Sequence, residues 1–207
     1  MKIIVIGDIH GNYNLLNIIL QRTDAEFYLQ VGDFGDAKNT TVGYPDLDKP
    51  LLFIPGNHEC ADSLNKFNKN NGKSLIRKNL WYLPIGNSTS FRGVTIAGFG
   101  GNYAENYYFK RRNSLEGRHR LHYTYEDYEK LLDYNNKLDI LLTHEAPSPC
   151  ILPKYYGDCG RKEITELLYL LNPMYHFYGH HHQYYTQKIG NTISRCLPEF
   201  GIIEIEM

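Results

Sequence analysis

The sequence predicts an α/β protein whose sheets are buried by helices on their faces. Three observations support this class: short, almost wholly apolar runs recur along the chain, amphipathic helix patterns separate several of them, and turn residues bound them. At 207 residues, with 42% hydrophobic and 22% charged residues, the chain is large enough for one substantial core. No composition break, repeat or low-complexity linker divides it, so we expect one domain over residues 1–207.

Seven apolar, β-branched or aromatic runs are predicted as strands: 2–6, 26–31, 51–54, 94–99, 139–142, 174–178 and 201–206. Three segments are predicted as helices: 13–22, 124–134 and 161–171. The first places its leucines and isoleucines at helix-like spacing. The second starts at Thr124, with Asp127 at the capping-box position, and the third stops at Asn172-Pro173.

Bulk properties argue against several classes of protein. No segment has the apolar length that a bilayer span needs, and the run 2–6 is too short for a signal peptide. The net charge of −1 gives no global attraction to nucleic acid or membrane, although it leaves a local basic patch open. Nothing in the sequence identifies a protein partner.

Four cysteines, Cys60, Cys150, Cys159 and Cys196, form neither a CxxC pair nor a disulfide framework pattern. We interpret them as free thiols of a protein in a reducing, cytoplasmic compartment. A Cys150–Cys159 bridge or a chance metal contact is the alternative.

Five short motifs carry side chains that bind metals well, and each lies close behind an apolar run. The motifs are GDIHGN (7–12), GDFGD (32–36), GNHE (56–59), THEAP (143–147) and GHHH (179–182). The donors in them are Asp8, His10, Asp33, Asn57, His144, His180 and His182. Functional groups of α/β sheets gather at the carboxyl ends of strands, so we expect these side chains to converge, helped by sharp turns at the motif glycines. One such residue alone is usually a cap or a solvated group, but five motifs in this order are not expected by chance.

The donor set of carboxylate, imidazole and amide oxygen without thiolate fits divalent Mn, Fe, Zn or Ni. We predict two such ions. Asp8 and His10 alternate along an extended stretch, so both can face one ion. His180 and His182 have the same spacing and are able to serve two adjacent ions, and Asp33 is the natural bridging carboxylate.

Asn57 offers a neutral oxygen, which helps to keep the second ion electrophilic. His58 follows it directly and is expected to lie beside the ions without binding either, as a general acid for the leaving oxygen or as a donor to the phosphoryl group. Asp36 is a candidate to orient the His58 ring. His176, inside an apolar strand, is interpreted as a core histidine, and His181 is expected to point away from the ions.

These motifs resemble the pattern of calcineurin-like metallophosphoesterases over residues 1–182. The resemblance implies a four-layer αββα sandwich of two mixed β-sheets flanked by helices. It also implies one metal site from Asp8, His10, Asp33 and His182, and a second from Asp33, Asn57, His144 and His180.

The segments after GNHE resemble RNA lariat debranching enzymes in order and spacing: NLWYLP (79–84), FRGVTIAGFGG (91–101), the stretch 107–120, LDILLTHEAP (138–147) and RCLPEFGIIEIE (195–206). Debranching enzymes typically place a cysteine where this chain has Asp8, and they add a C-terminal extension. Oxygen in place of sulfur predicts a preference for harder ions. Serine/threonine phosphatases carry an arginine straight after GDxxD, where this chain has Ala37-Lys38.

The stretch 100–123 is predicted as a long surface loop or lid. Aromatic residues alternate there with Lys110, Arg111, Arg112, Arg118 and Arg120. Bases could stack on the rings while the cations hold phosphates, so Arg111, Arg112 and Arg118 are candidate substrate-binding residues. An ordinary solvated loop is the alternative, and His119 and His122 are interpreted as surface residues.

The sequence therefore predicts a binuclear metal-dependent phosphodiesterase acting on a nucleotide or nucleic-acid ester such as RNA. A phosphomonoesterase or serine/threonine phosphoprotein phosphatase is the alternative, with an arginine supplied by Arg92 or Arg161. A binding scaffold without catalysis is a third hypothesis, disfavoured because every predicted ligand and the acid are present.

Overall fold

The computed structural model describes residues 1–36, 43–67 and 72–207. Its strands are β1 (Lys2–Ile6), β2 (Phe27–Gln30), β3 (Leu51–Phe53), β4 (Ser74–Arg77), β5 (Leu80–Tyr82), β6 (Asn87–Phe91), β7 (Val94–Phe99), β8 (Ile140–Thr143), β9 (Tyr175–Tyr178), β10 (Tyr185–Ile189), β11 (Thr192–Cys196) and β12 (Ile202–Glu206). Its α-helices are α1 (Tyr13–Arg22), α2 (Ala61–Asn65), α3 (Glu105–Tyr108), α4 (Tyr125–Leu132) and α5 (Lys162–Leu171).

The strands form two six-stranded mixed sheets. The first has the order β12-β1-β2-β3-β5-β4, and the second has the order β10-β11-β9-β8-β7-β6. In each sheet the four central strands are parallel, and the outer strand on each side pairs antiparallel with them. The carboxyl ends of the parallel strands therefore meet along one edge of each sheet.

The alternation of side chains along β1 explains the layers on the first sheet. Ile3 and Val5 belong to the core between the two sheets, whereas Ile4 and Ile6 pack in the cluster that contains Leu16 of α1. Because both faces of the strand are covered, the run is apolar at every position rather than at every second one.

The second sheet is covered in the same way on its outer face. Leu141 of β8 packs in a cluster with Leu131 of α4 and Ile164 of α5, whereas its neighbour Leu142 belongs to the core between the sheets. The layers are thus helix, sheet, sheet and helix, which confirms the predicted αββα sandwich.

All seven predicted strands and all three predicted helices are present, with bounds within two residues of those expected. The Asp127 carboxylate accepts the backbone N–H of Thr124 at 2.9 Å, as the capping-box pattern predicts. The sequence analysis missed β4, β5, β6, β10 and β11, together with the short helices α2 and α3. Several of these strands alternate buried and partly exposed residues, so they lack the continuous apolar run of the buried strands.

The stretch 100–123 has little regular structure besides α3 and two 3₁₀ turns, Arg112–Ser114 and Gly117–Leu121. All four cysteines are free thiols. Among the residues that the structure describes, no helix is both long and apolar enough to cross a bilayer.

His176 is a core histidine, as the sequence predicts. Its Nε2 lies 2.8 Å from the Thr143 hydroxyl and its Nδ1 lies 2.8 Å from the Ser194 hydroxyl. Burial lowers the pKa of His176 to about 3. The folded protein therefore keeps this ring neutral where an exposed imidazole would take up a proton.

We expect His176 to make stability fall as the pH is lowered. The unfolded chain binds this proton near pH 6.5 and the folded chain only near pH 3, so its contribution is complete above pH 6.5 and is lost below it. The loss amounts to roughly 1.4 kcal/mol per pH unit for one proton. Urea unfolding of the metal-free protein between pH 6.5 and 4.5 should show a shallower pH dependence for His176→Gln than for the wild type. The exposed His119→Gln controls for loss of an imidazole, and equal slopes in all three proteins would contradict the assignment.

Candidate functional site

The five motifs lie together at the edge where the parallel strands of both sheets end. In chain order this edge carries Asp8 and His10 after β1, Asp33 after β2, Asn57 after β3, His144 after β8, and His180 and His182 after β9. The parallel topology of two facing sheets thus brings together loops that are far apart in sequence.

One group of metal donors contains Asp8, His10 and His182. The Asp8 Oδ2 lies 3.1 Å from His182 Nε2 and 4.0 Å from His10 Nε2. The three donor atoms lie within 4.8 Å of one another, which is close enough for one ion to contact all three.

A second group contains Asp8, Asp33 and His144, again with donor atoms within 4.8 Å of one another. His144 Nε2 lies 3.3 Å from Asp33 Oδ2 and 3.0 Å from Asn57 Oδ1. The other nitrogen, Nδ1, lies 3.0 Å from the carbonyl oxygen of Val31, which only accepts. Nδ1 therefore carries a proton, and Nε2 is the nitrogen available to an ion.

Asp8 belongs to both groups, and Asp33, a member of the second, also faces a histidine of the first. Its Oδ2 is 4.0 Å from His10 Nδ1 on one side and 3.3 Å from His144 Nε2 on the other. Its Oδ1 accepts the backbone N–H of His58 at 2.7 Å. This is the position that a shared ligand requires, and the binding of two ions by Asp33 stays a prediction.

The electrostatics of this pair test whether the residues fit a cation. Burial favours a neutral Asp33, but the charge and hydrogen bond of His144 hold the pKa of the carboxyl below its ordinary value. Burial also favours a neutral His144, yet the nearby Asp33 raises the pKa of the imidazole to about 10. The buried carboxylate of Asp33 thus keeps a proton on His144, and this proton supplies the positive charge that the carboxylate needs. A divalent ion bound here would displace the proton and supply that charge instead. The donor set fits divalent metals.

Four of the donors have left-handed backbone conformations. Their φ angles are 49° at His10, 54° at Asp33, 65° at His180 and 53° at His182. Such conformations are costly for residues other than glycine and persist only where the surrounding structure determines them. Their concentration here indicates that the backbone is arranged to aim side chains at one point.

The motif glycines serve two different purposes. Gly32 has a φ of +101°, as expected for a sharp turn. At Gly56, however, a Cβ would lie only 2.1 Å from Asp33 Oδ1, and at Gly179 it would lie 2.0 Å from Asp8 Oδ1. The last two glycines are needed for close approach rather than for turning, which corrects the expectation from sequence.

Glu59, the last residue of GNHE, stabilises the GDFGD turn by accepting hydrogen bonds from its backbone. It is 1% exposed and accepts the backbone N–H groups of Phe34 at 2.7 Å and Gly35 at 3.0 Å. Burial, followed by the charge of Asp33, raises the pKa of its carboxyl to about 7. The sequence analysis gave this residue no role.

A model of the family described as calcineurin-like phosphoesterase matches residues 1–184, which is most of the chain. The chain belongs to this family. The two groups of metal donors described above fit a phosphoesterase of this family.

Within this phosphoesterase family, the chain is similar to lariat debranching enzymes. It is 27% identical to that of Arabidopsis thaliana over 100% of this chain and 63% of the relative. It is 28% identical to that of Saccharomyces cerevisiae over 63% of this chain and 33% of the relative, and 25% identical to that of Homo sapiens over 74% and 35%. The chain thus spans less than two thirds of the length of these curated relatives.

Solved structures share the phosphoesterase fold. TT1561 of Thermus thermophilus has a TM-score of 0.58 at 15% identity, covering 96% of this chain and 89% of that chain. A putative 5′-nucleotidase from Staphylococcus aureus has a TM-score of 0.52 at 14% identity, covering 100% and 51%. At these identities the likeness concerns the fold alone.

His58 lies beside the donor groups of the phosphoesterase. Its backbone is fixed by Asp33, and its ring centroid lies 5.2 Å from that of His10 in an edge-to-face arrangement. Asp36 packs close to Gly11, where an added Cβ would lie 3.0 Å from the Cβ of Asp36. Its proposed role in orienting His58 stays a prediction. Ala37-Lys38, which replace the phosphatase arginine, lie outside the described residues.

A cavity of about 350 Å³ adjoins the second donor group and is lined by Asn57, Asn102, Arg118, His119, Leu121 and His122. The predicted lid therefore lies against the phosphoesterase site. Arg118 is exposed in this lining, where a substrate phosphate could reach it.

His119 and His122 were interpreted from the sequence as surface residues. His119 is exposed and His122 is half-buried, and both have partners. Both rings stack with Tyr107, at centroid distances of 4.2 Å and 5.2 Å. His119 Nε2 also lies 3.1 Å from the Tyr107 hydroxyl, and His122 Nδ1 lies 3.1 Å from Asn102 Oδ1. Together with their place in the cavity wall, these contacts make them part of the site's surroundings.

The other two candidate substrate arginines lie apart from this cavity. Arg111 and Arg112 line a larger one, of about 670 Å³, on another side of the lid. The guanidinium of Arg112 donates to Asp127 Oδ2 at 3.2 Å and to the backbone carbonyls of His122 and Arg120. These contacts favour a structural role for Arg112, whose side chain connects the stretch 100–123 to α4.

Two arginines were considered as substitutes for the phosphatase arginine. Of these, Arg161 lies at the end of the sheet that carries the site. It forms two hydrogen bonds of 2.8 and 2.9 Å with Oε1 of Glu145, the residue after His144. Its guanidinium also lies 5.1 Å from the centre of the Tyr103 ring. Arg92 lies in the turn between β6 and β7, at the opposite end of β7 from the site.

Glu199 is a site residue that the sequence analysis missed. It follows β11, which runs parallel to β9 and so ends at the same edge. Its Oε1 lies 3.0 Å from His182 Nδ1 and 3.6 Å from His10 Nε2. The sequence feature that could have predicted its place is the short run TISRC, a strand pattern that precedes a Pro-containing turn.

We expect Gly56→Ala to weaken metal binding. The new methyl group would lie 2.1 Å from Asp33 Oδ1 and 2.3 Å from the Asp33 backbone nitrogen, so the carboxylate and the turn that carries it must both shift. Manganese affinity, measured by equilibrium dialysis and metal analysis, should fall by about 10- to 100-fold, as when the supports of metal ligands are removed. Gly43→Ala is the matched control, because the nearest heavy atom among the described residues is 3.5 Å away there. Wild-type affinity in Gly56→Ala with an unchanged circular dichroism spectrum would contradict the close-approach argument.

Proposed function

We propose that the protein is a binuclear metal-dependent phosphodiesterase whose substrate is a nucleotide or nucleic-acid ester, such as a branched RNA. The observation that carries the proposal is the pair of donor groups with a neighbouring cavity, which Asn57 beside His144 lines together with residues of the basic, aromatic lid. The similarity to lariat debranching enzymes supports the same substrate class.

The two ions would be held by the predicted ligands: Asp8, His10, Asp33 and His182 for one, and Asp33, Asn57, His144 and His180 for the other. Two divalent cations supply Lewis-acid charge that polarises a phosphoryl group and stabilises its oxygens. Mn, Fe, Zn and Ni all match these donors, and the oxygen ligand at Asp8 favours the harder ions.

His58 is the proposed general acid. It lies at the edge of the donor groups and belongs to neither, so its ring is available to the leaving oxygen of a bound ester. A proton donated there removes the need to expel a charged alkoxide. The Asp33 contact to its backbone keeps the residue in position.

The cavity wall supplies the proposed recognition of a nucleic acid. Arg118 offers a cation for a phosphate next to the scissile one, and the stack of Tyr107, His119 and His122 offers aromatic surface for a base. A monoester needs only the donor groups, whereas a diester has a second substituent that must occupy space such as this cavity.

We further propose that residues 1–207 act as one domain, with 100–123 as the recognition loop, in a reducing cytoplasmic compartment. The four free thiols, three of which lie in or against a single buried cluster, support the compartment. We propose neither a protein partner nor a membrane for this protein.

Manganese-loaded protein is expected to cleave bis-p-nitrophenyl phosphate faster than p-nitrophenyl phosphate, and to release the branch of a 2′,5′-linked RNA while leaving a linear RNA of the same sequence intact. The dialysed, metal-free protein serves as control and should be inactive until manganese is restored. Rapid monoester hydrolysis without diester cleavage would favour the phosphatase alternative. Cleavage of bis-p-nitrophenyl phosphate but of neither RNA would restrict the substrate to smaller diesters.

His58→Ala is expected to retain both metals and to lower kcat by about 10²- to 10⁴-fold, the usual contribution of a general acid. The loss should be smaller for a diester with an acidic leaving group, because such a group departs without protonation. Asp33→Asn serves as the contrasting variant and should lose metal, since it removes the charge between the donor groups. Loss of metal from His58→Ala would show that this histidine is a ligand instead.

A further inference from the structure

Glu199 contacts both histidines of the first donor group. Its Oε1 lies 3.0 Å from His182 Nδ1 and 3.6 Å from His10 Nε2, and its side chain is 45% exposed. None of the five metal-binding motifs contains this residue. The position of a partly exposed carboxylate between two partly exposed imidazoles calls for a structural explanation.

The two nitrogens of His182 face different carboxylates. Nε2 lies 3.1 Å from Asp8 Oδ2, inside the donor group, and Nδ1 lies 3.0 Å from Glu199 Oε1, outside it. A carboxylate at this distance favours the tautomer that carries its proton on Nδ1, which leaves the Nε2 lone pair on the Asp8 side. Without that partner, a ring that is 38% exposed would be free to turn toward solvent.

The backbone holds Glu199 at a fixed place relative to Asp8. The next residue, Phe200, donates its N–H to the carbonyl of Asp8 at 3.0 Å. Gly7 donates its N–H to the carbonyl of Gly201 at 2.9 Å, and a Cβ on Gly7 would lie 1.9 Å from the carbonyl oxygen of Pro198. The turn that carries Glu199 is thus fastened to the turn that carries Asp8, although the two are far apart in sequence.

We propose that Glu199 is a positioning residue of the first metal site, which orients His182 and adds a negative charge beside Asp8 and His10. The inference rests on the proposed two-metal centre. It adds a carboxylate to a site that already contains that of Asp8, and both features favour a hard, highly charged ion there. Both ion pairs that Glu199 forms within the described residues are with histidines of the first group, so we expect the second site, around His144, to be affected much less.

The test measures metal binding rather than turnover. Manganese binding by the full chain is titrated in competition with a chelating dye, and the bound metal per chain is determined after dialysis. Glu199→Ala should weaken one of the two sites by about 10- to 100-fold, as is usual when the carboxylate behind a histidine ligand is removed, and leave the other within about twofold. Glu199→Gln should fall between Ala and the wild type, because its amide oxygen keeps a polar group near His182 Nδ1 but removes the charge. Glu204→Ala is the control. It removes another surface carboxylate, which lies on β12 and pairs with Lys2 of β1, and it should bind manganese as the wild type does.

The thermal unfolding midpoint of the metal-free proteins separates positioning from structure, and it should be the same in Glu199→Ala and the wild type. Two wild-type-like sites in Glu199→Ala would overturn the role of Glu199 alone. Equal weakening of both sites, or a lowered midpoint without metal, would also overturn it. A wild-type protein that binds no manganese would overturn the two-metal centre itself, and with it both proposals.

Discussion

The carboxylate of Asp33 connects loops that come from both sheets. Its Oδ2 lies 3.3 Å from His144 of the second sheet, its Oδ1 accepts the N–H of His58, and its backbone carbonyl accepts the N–H of His10 at 2.8 Å. One residue thus sets the relative positions of three loops. Because those loops carry most of the other donors, the spacing of the whole site depends on where this carboxylate lies.

Placing such a group in the interior has a cost that the fold offsets in several ways. A buried carboxylate needs a counter-charge, which the proton on His144 supplies in the absence of metal. The donors also need backbone conformations that are unfavourable in isolation, such as those of Asp33 and His180. Strands buried on both faces provide a frame stiff enough to hold them, and Gly56 and Gly179 leave the space that the carboxylates fill.

Sequence patterns predicted those parts of the molecule whose cause is local. The apolar run of β1 and the helical spacing of α1 are visible in their own residues, and so are the donor motifs at the strand ends. Glu199 was missed because β11 alternates buried and partly exposed residues and was not recognised as a strand ending at the site. The purpose of Gly56 depends on the distant carboxylate of Asp33, and that of Arg112 depends on Asp127, so neither follows from neighbouring residues.

The cavity lined by Asn57 depends on the same packing as the metal donors. Asn57, on one wall, follows a strand of the first sheet, whereas the lid on the other wall is tied through Arg112 to Asp127 of α4, which covers the second sheet. The width of the cavity is therefore set by how the two sheets pack on each other, through residues such as Leu52 and Leu142. A change in that core would move the lid relative to Asn57 and would also move His144 relative to Asp33. Substrate fit and metal geometry are coupled through the apolar layer between the sheets.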